Sequence, residues 1–582
     1  MKRVLLVAIA GAVVTLTAFV SAIVPDPVGL DSGAISGTTG SSGEVRIFRG
    51  VPYAAAPIGA LRWRAPQPVA KWEGVRKADE YGARCFQGGG GGGAPGRGGA
   101  GAGGRGGGRR GGAAAPGDQA DGGAGRQDVA AGRQGQGAGD GRQGRGSDVG
   151  RDGGRGAQAP PAGIVAQQST SEDCLFLNVW TPAKSASDRL PVMVWIHGAG
   201  LTGGSGSEPR YDGEELSKKG AVVITINYRL GPFGWLAHPE LSKESGHNAS
   251  GNYGMMDALA ALQWVQKNAA ALGGDPRRVT IFGESAGAFL VSGLVGSPEG
   301  KGLFQRAIAE SGGWMGMGMA AMRTLAQAED AGAKAVTAMG VSRLADLRAK
   351  PADEIQRDLR GAGLIIDGKY IPEDLSVTFA RGKQKDVDLM VGSNKDEGTF
   401  FGRQNSTADQ FTTQSKQRFG DLGDTFLKLY PASSDTEAVA SSLASFRDEA
   451  NWHMRIWAEA QAKIKKKAYL YYFTREPVTA PGQPSRGASH TVEIAYVFRR
   501  AGSAPNGNDV DRKLEDTMAQ YWVNFAATGD PNGKGLPAWP AIKDRTSGRA
   551  MVLGDKIEAE ASPDTARLAL FDQAYSKLRS GN

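Results

Sequence analysis

Several short stretches of this chain are almost wholly apolar, where a half-buried strand would alternate with polar residues. Pro191 to Ile196, Ala221 to Asn227, Val279 to Phe282 and Leu389 to Val391 are such runs, rich in Val, Ile, Phe and Trp. Apolar runs of this length predict strands covered on both faces. Between them lie stretches of helical spacing. Asn252 to Ala271 repeats apolar residues at three- and four-residue intervals, and Ala286 to Val295 is small and apolar, predicting a helix laid on a sheet. Strands alternating with helices predict an α/β fold with a large, mostly parallel sheet.

The first residues follow another pattern. Met1 to Ala22 has a basic start (Lys2, Arg3), an apolar core from Val4 to Val20 and a small-residue exit at Ser21-Ala22. This predicts a signal peptide cleaved after Ala22, and so a secreted or periplasmic protein. The competing reading is a single membrane anchor, because the run approaches spanning length. No second run of that length follows, so no integral span is expected once the signal is removed.

The junction between the run at Val279–Phe282 and the helix at Ala286 carries candidate chemistry. It reads Gly283-Glu284-Ser285-Ala286-Gly287, a G-x-S-x-G. In a strand–turn–helix setting this motif lifts a serine hydroxyl clear of the backbone, with glycines where neighbouring backbone leaves no room for a side chain. The helix start also offers N–H groups to a developing oxyanion. Alone the motif is weak in a chain with 88 glycines; its context strengthens it.

A serine nucleophile needs a base, and only five histidines exist: His197, His238, His247, His453 and His490. His490 follows a Pro/Gly-rich turn and precedes an apolar stretch, which suits a loop-borne general base. His238 and His247 lie in a Pro/Ser/Gly-rich loop and are expected at the surface. His453 lies in a helical stretch with no second ligand near it. An orienting acid should fall between serine and histidine in chain order. Asp388 to Val391 ends in Gly392-Ser393-Asn394-Lys395-Asp396-Glu397-Gly398, which offers both Asp396 and Glu397; spacing does not choose between them. The histidines and two cysteines have no zinc-type spacing, and no phosphate-binding or dinucleotide fingerprint follows a strand, so neither metal nor cofactor is expected.

Charge changes the picture in one region. From Gly88 to Gly163 the chain holds 33 glycines in 76 positions and no aromatic residue. Such a segment buries too little apolar surface to offset chain entropy and is expected to be a disordered, solvated insertion. Its ten Arg and six Asp sum to +4 (10 − 6), half of the chain's formal +8. Arg-Gly repeats of this kind can bind RNA, but interleaved aromatics are missing and the leader directs the protein away from RNA. No nucleic-acid partner is expected.

Taken in order, the motifs resemble the type-B carboxylesterases, the group that includes cholinesterases and bacterial para-nitrobenzyl esterases. They are Phe48 to Tyr53, Ser171 to Val179, Trp195 to Gly200, Asn227 to Gly231, Gly273 to Pro276, the Ser285 elbow, Asn394 to Gly398, Gly487 to His490, and Tyr521 to Ala526 running on to Gly529-Asp530-Pro531-Asn532. The resemblance implies an α/β-hydrolase fold in which residues 23–582 form one catalytic domain interrupted by the 88–163 insertion, although length alone suggests three domains. It implies a secreted serine hydrolase of carboxylic esters with a small-molecule substrate and no cofactor. It chooses the glutamate before the glycine, giving a Ser285–His490–Glu397 triad.

The same resemblance implies an oxyanion hole from the backbone N–H groups of Ala199, Gly200 and Ala286. Here the chain departs from the usual His-Gly-Gly-Gly, reading His197-Gly198-Ala199-Gly200. Alanine keeps the N–H, but its methyl resists a positive φ or crowds the acyl group. His197 is expected to hold the loop. A Cys85–Cys174 disulfide is implied in an oxidising compartment, as are structural ion pairs Arg62–Glu172 and Arg229–Asp257. In cholinesterases a tryptophan ten residues before the second cysteine receives choline; here that position is Ile164, so the cation–π platform is absent and choline esters are disfavoured. Gly313 to Met319, rich in methionine, suits an acyl pocket or core packing equally. Two alternatives remain: a catalytically silent adhesion protein, which usually lacks a triad member that this chain keeps, and a hydrolase of amides or carbamates.

Overall fold

The computed structural model describes residues 24–88, 169–313, 321–401, 405–544, 548–561 and 565–580. The expected signal peptide (1–22), the insertion from residue 89 onward and Trp314 to Met319 lie outside the described residues.

Among the described residues one sheet has eleven strands: β1 (Thr38–Thr39), β2 (Arg46–Pro52), β3 (Phe176–Thr181), β4 (Leu190–Ile196), β5 (Val222–Ile226), β6 (Gly274–Glu284), β7 (Arg306–Glu310), β8 (Asp388–Asn394), β9 (Ala468–Phe473), β10 (Arg549–Leu553) and β11 (Ile557–Ala561). Their spatial order is β11-β10-β9-β8-β7-β6-β4-β5-β3-β2-β1. From β5 to β10 every neighbouring pair is parallel, and antiparallel pairs close both edges. The helices used below are α1 (Tyr253–Asn268), α2 (Ala286–Gly296), α3 (Ala408–Phe419), α4 (Gly423–Leu429), α5 (Asp435–Lys463) and α6 (Asp509–Thr528). This is the α/β-hydrolase architecture expected.

The apolar runs have a direct physical cause. Val192, Val194 and Ile196 of β4 enter one core, while Met193 and Trp195 enter another on the opposite face. Neighbouring β5 divides in the same way, Val222, Ile224 and Ile226 against Val223. A sheet covered on both faces has no solvent side to select polar residues. Parallel strands also bring their C-terminal ends to one edge. β4, β6 and β8, which precede the His197–Gly200 loop, Ser285 and the two carboxylates respectively, all end there.

β6 exceeds the predicted run. It begins at Gly274, opposite Leu190 of β4, and its polar Asp275-Pro276-Arg277-Arg278 forms the register shift before pairing with β4 resumes at Val279. No helix among the described residues is long and apolar enough to cross a membrane.

Candidate active site

Ser285 stands between β6 and α2 with φ 54° and ψ −121°, a backbone region that non-glycine residues seldom occupy. The elbow is held by crowding on both sides. A Cβ at Gly283 would lie 2.6 Å from Ile196 O, and one at Gly287 would lie 1.9 Å from the same carbonyl. The Ser285 N–H donates to Glu310 O of β7 at 2.9 Å. No side chain caps α2, so its first N–H groups, Ala286 included, face the turn without a capping partner.

Two loops converge on this elbow. Beyond β8 the carboxyl of Glu397 is fully buried; its Oε1 accepts from the Asn394 N–H at 3.0 Å and its Oε2 lies 2.7 Å from His490 Nδ1. Asp396 does something different. Its N–H donates to Ala488 O at 3.0 Å and its Oδ2 accepts from the Ala488 N–H at 2.8 Å, lacing the carboxylate loop to the histidine loop. The two adjacent acids thus have separate tasks, one touching the imidazole and one holding its loop.

His490 is buried among carboxylates. Its Nε2 lies 3.0 Å from Glu284 Oε1. Burial pulls the imidazole pKa down; Glu284 and Glu397 together outweigh it and hold the ring well above its usual value. Glu493, three residues on, accepts from Ser311 Oγ at 3.2 Å and from Asn394 Nδ2. Burial first, then Glu284 and Glu397, push it up to about 8. On its other side the His490 ring meets Phe401 at 4.5 Å and Phe400 at 5.2 Å between centroids. Both phenylalanines are largely exposed, so an apolar rim borders the imidazole.

The loop after β4 approaches the serine from the third side. A Cβ at Gly198 would lie 3.2 Å from Ser285 Cβ. Ala199, Gly200 and Leu201 follow with φ of 70°, 67° and 61°. Alanine therefore occupies the left-handed region that its methyl was expected to resist, and Ala199 and Gly200 are exposed. His197 packs inward, its ring stacked on Tyr228 at 4.5 Å, and Tyr228 Oη donates to His197 O at 2.7 Å. Burial brings His197 down to about 4. It is a neutral structural ring.

Cys85 and Cys174 are joined in a disulfide. Gln87 ties this region to the loop after β4, its Nε2 donating to Gly204 O at 3.0 Å and its Oε1 accepting from Gly204 N–H at 2.9 Å. Both expected ion pairs are formed. Arg62 Nε donates to Glu172 Oε2 at 2.7 Å, and buried Arg229 grips both oxygens of Asp257 at 2.7 Å each. His238 and His247 are half-buried. His238 caps a short helix by accepting from the Glu240 N–H, and His247 sits edge-on to Tyr370. His453 is buried, and neither ring nitrogen has a hydrogen-bond partner among the described residues.

The residue patterns do not single out four neighbours of the site. Glu284 is the first variable position of the G-x-S-x-G, an acid adjacent to Ser285. Phe400 and Phe401 follow Glu397 within one turn. Gln87 carries no signal that a linear reading could find.

A profile described as the carboxylesterase family matches residues 23–571. The chain is 33% identical over 547 residues to the fumonisin B1 esterase of Sphingopyxis macrogoltabida, covering 90% of this chain and 86% of that protein. It is 30% identical over 569 residues to the para-nitrobenzyl esterase of Bacillus subtilis, covering 92% and 96% respectively. Among solved structures, a PNB esterase superposes with a TM-score of 0.70 at 28% identity, over 94% of this chain and 99% of that one.

Proposed function

The chain belongs to the carboxylesterase family and is a carboxylic ester hydrolase, and from this premise we propose that it is an exported serine esterase working through Ser285, His490 and Glu397. Residues 1–22 serve as the export signal, and 23–582 act as one catalytic domain interrupted by a solvated 88–163 insertion. The observation that carries the catalytic assignment is the 2.7 Å contact between Glu397 Oε2 and His490 Nδ1, made beside a serine with φ 54°.

In the acylation step Ser285 Oγ attacks the ester carbonyl carbon while His490 Nε2 takes the hydroxyl proton. Glu397 accepts from Nδ1–H, which fixes the tautomer that leaves Nε2 free as a base. The carbonyl oxygen gains negative charge and is held by N–H groups of Ala199, Gly200 and Ala286. The carbon–oxygen bond then breaks, and Nε2 returns its proton to the departing alcohol. Water, deprotonated by the same nitrogen, releases the acid and regenerates the serine. The field of Glu284 and Glu397 that raises His490's pKa also stabilises the imidazolium formed on the way.

Phe400 and Phe401 border the imidazole and suit an apolar group next to the reacting ester bond. Choline esters are disfavoured, because Ile164 stands where a cholinesterase has its tryptophan. The test is turnover of 4-nitrophenyl butyrate and benzoate by wild type and by Ser285→Ala. Turnover by the wild type and its loss in a folded Ser285→Ala are expected; an alanine variant that keeps wild-type turnover refutes the assignment.

A further inference from the structure

A cleft of about 220 Å³ lies between α3, α4 and α5, on the far side of residues that border the imidazole. Its walls include Phe401, Phe411, Phe419, Phe426 and Phe446, with Arg418 as the one charged residue among its described lining. Phe401 belongs to both places, since its ring meets His490 at 4.5 Å and stacks on Phe446 at 5.0 Å.

Arg418 is exposed at the cleft but anchored at one end. One Nη2–H donates to Glu449 at 2.5 Å, and Glu449 is 2% exposed behind it. Tyr575 Oη donates to the same carboxylate oxygen, so the anchor is itself held. The guanidinium lies 4.9 Å from the Phe419 ring centroid, and 35% of the side chain is exposed. Nη2 is its one donor bonded to a carboxylate among the described residues, and the side chain lines the cleft. A planar fork fixed to a buried carboxylate at one edge and exposed at the cleft suits a second carboxylate. Aromatic walls lower the local dielectric and strengthen that pairing.

We propose that this cleft is a subsite for esters bearing a carboxylate on an apolar or aromatic arm, with Arg418 binding the anion while the ester bond lies at Ser285. The inference rests on the proposed Ser285–His490 centre. The carboxylate can belong to the acid or to the alcohol half of the ester, and the experiment has an arm for each. Mono-4-nitrophenyl adipate is compared with 4-nitrophenyl hexanoate for the acid half, and 4-butyryloxybenzoate with phenyl butyrate for the alcohol half.

The readout is the ratio of kcat/KM for the charged ester to that for its neutral partner, in wild type, Arg418→Gln, Arg418→Lys and Gln414→Glu. A ratio is insensitive to a partly misfolded sample, because both substrates lose alike. In at least one arm Arg418→Gln is expected to lower the ratio about tenfold, as for loss of a charged hydrogen bond. Arg418→Lys should restore part of it. Gln414→Glu leaves Arg418 in place and sets a competing carboxylate one helical turn away on exposed α3; it should lower the ratio in the same arm. Equal ratios in all four proteins, with neutral esters still hydrolysed, overturn the subsite and leave the proposed function standing. Absence of neutral-ester turnover in wild type strikes the proposed function instead.

Discussion

Ala199 is the point where the residue type and the backbone disagree, so Ala199→Gly is the most informative small change. Ala199 has φ 70° and Gly200 has φ 67°. An L-residue in this left-handed region costs about 1–2 kcal/mol relative to its right-handed form, a cost glycine does not bear. Glycine in turn adds about 0.4–1 kcal/mol of unfolded-chain entropy. The balance is a stabilisation of about 0.5 kcal/mol, which moves Tm by no more than about 1–2 °C in a chain of this size. Catalysis should change as little. Ala199 has already adopted nearly the same φ as its glycine neighbour, so its N–H is aimed as a glycine's would be.

The assay is steady-state turnover of 4-nitrophenyl acetate and of a bulky ester such as 4-nitrophenyl pivalate, beside a thermal melt. The expected kcat on acetate is within about threefold of wild type; a mis-aimed oxyanion donor would cost roughly 10²–10³. Any gain should appear in KM for pivalate, since the exposed methyl is what the substitution removes. A rise of about a hundredfold in kcat on acetate would refute the reasoning, because it would mean that alanine had been spoiling the hole. Ala199→Val is the opposing control: a β-branched residue at this φ is a genuine outlier, and both kcat and Tm should fall.

Three other outcomes follow from the same geometry. Glu397→Gln should lower kcat by about 10⁴, the scale for a triad acid, whereas Asp396→Asn, which only weakens the lacing to Ala488, should lose far less; equal losses in steady-state kinetics would overturn the division of tasks. His490 must be neutral to accept the serine proton, and Glu284 and Glu397 raise its pKa, so kcat/KM should fall as pH drops through a value above 6.5. Glu284→Gln removes one of those charges and should move this acidic limb to lower pH; movement to higher pH would contradict the assignment. Asp257→Ala strands the buried Arg229 guanidinium and should cost about 3–5 kcal/mol of stability in denaturant unfolding; a loss under 1 kcal/mol would show that the pair is not a structural strut.

The parts of the fold legible in the residues are those where one physical requirement dominates. β4 and β5 are buried on both faces, so their apolar runs admit no other reading. The elbow was legible because backbone crowding around Gly283 and Gly287 excludes larger residues. Asp396 and Glu397 were not separable, since consecutive side chains diverge from one turn; which of them reaches His490 depends on how the chain leaves β8, with Glu397 turned back to the Asn394 N–H. Of the 29-residue α5 only the helical stretch around His453 was legible, for a different reason. Its buried face mixes Trp452 and Trp457 with Glu449, His453 and Arg455, which masks the apolar stripe that helical periodicity relies on. Arg418 was equally invisible, because its partner Glu449 and its neighbour Phe401 meet it only in the folded chain.

The central claim is that Ser285 is the nucleophile, and covalent labelling tests it most directly. The wild-type enzyme is treated with a fluorophosphonate ester, digested, and mapped by mass spectrometry. One adduct is predicted, on Ser285, appearing in step with loss of esterase activity and absent from Ser285→Ala. An adduct on another serine that tracks the loss of activity, or full inactivation with Ser285 unmodified, would contradict the account.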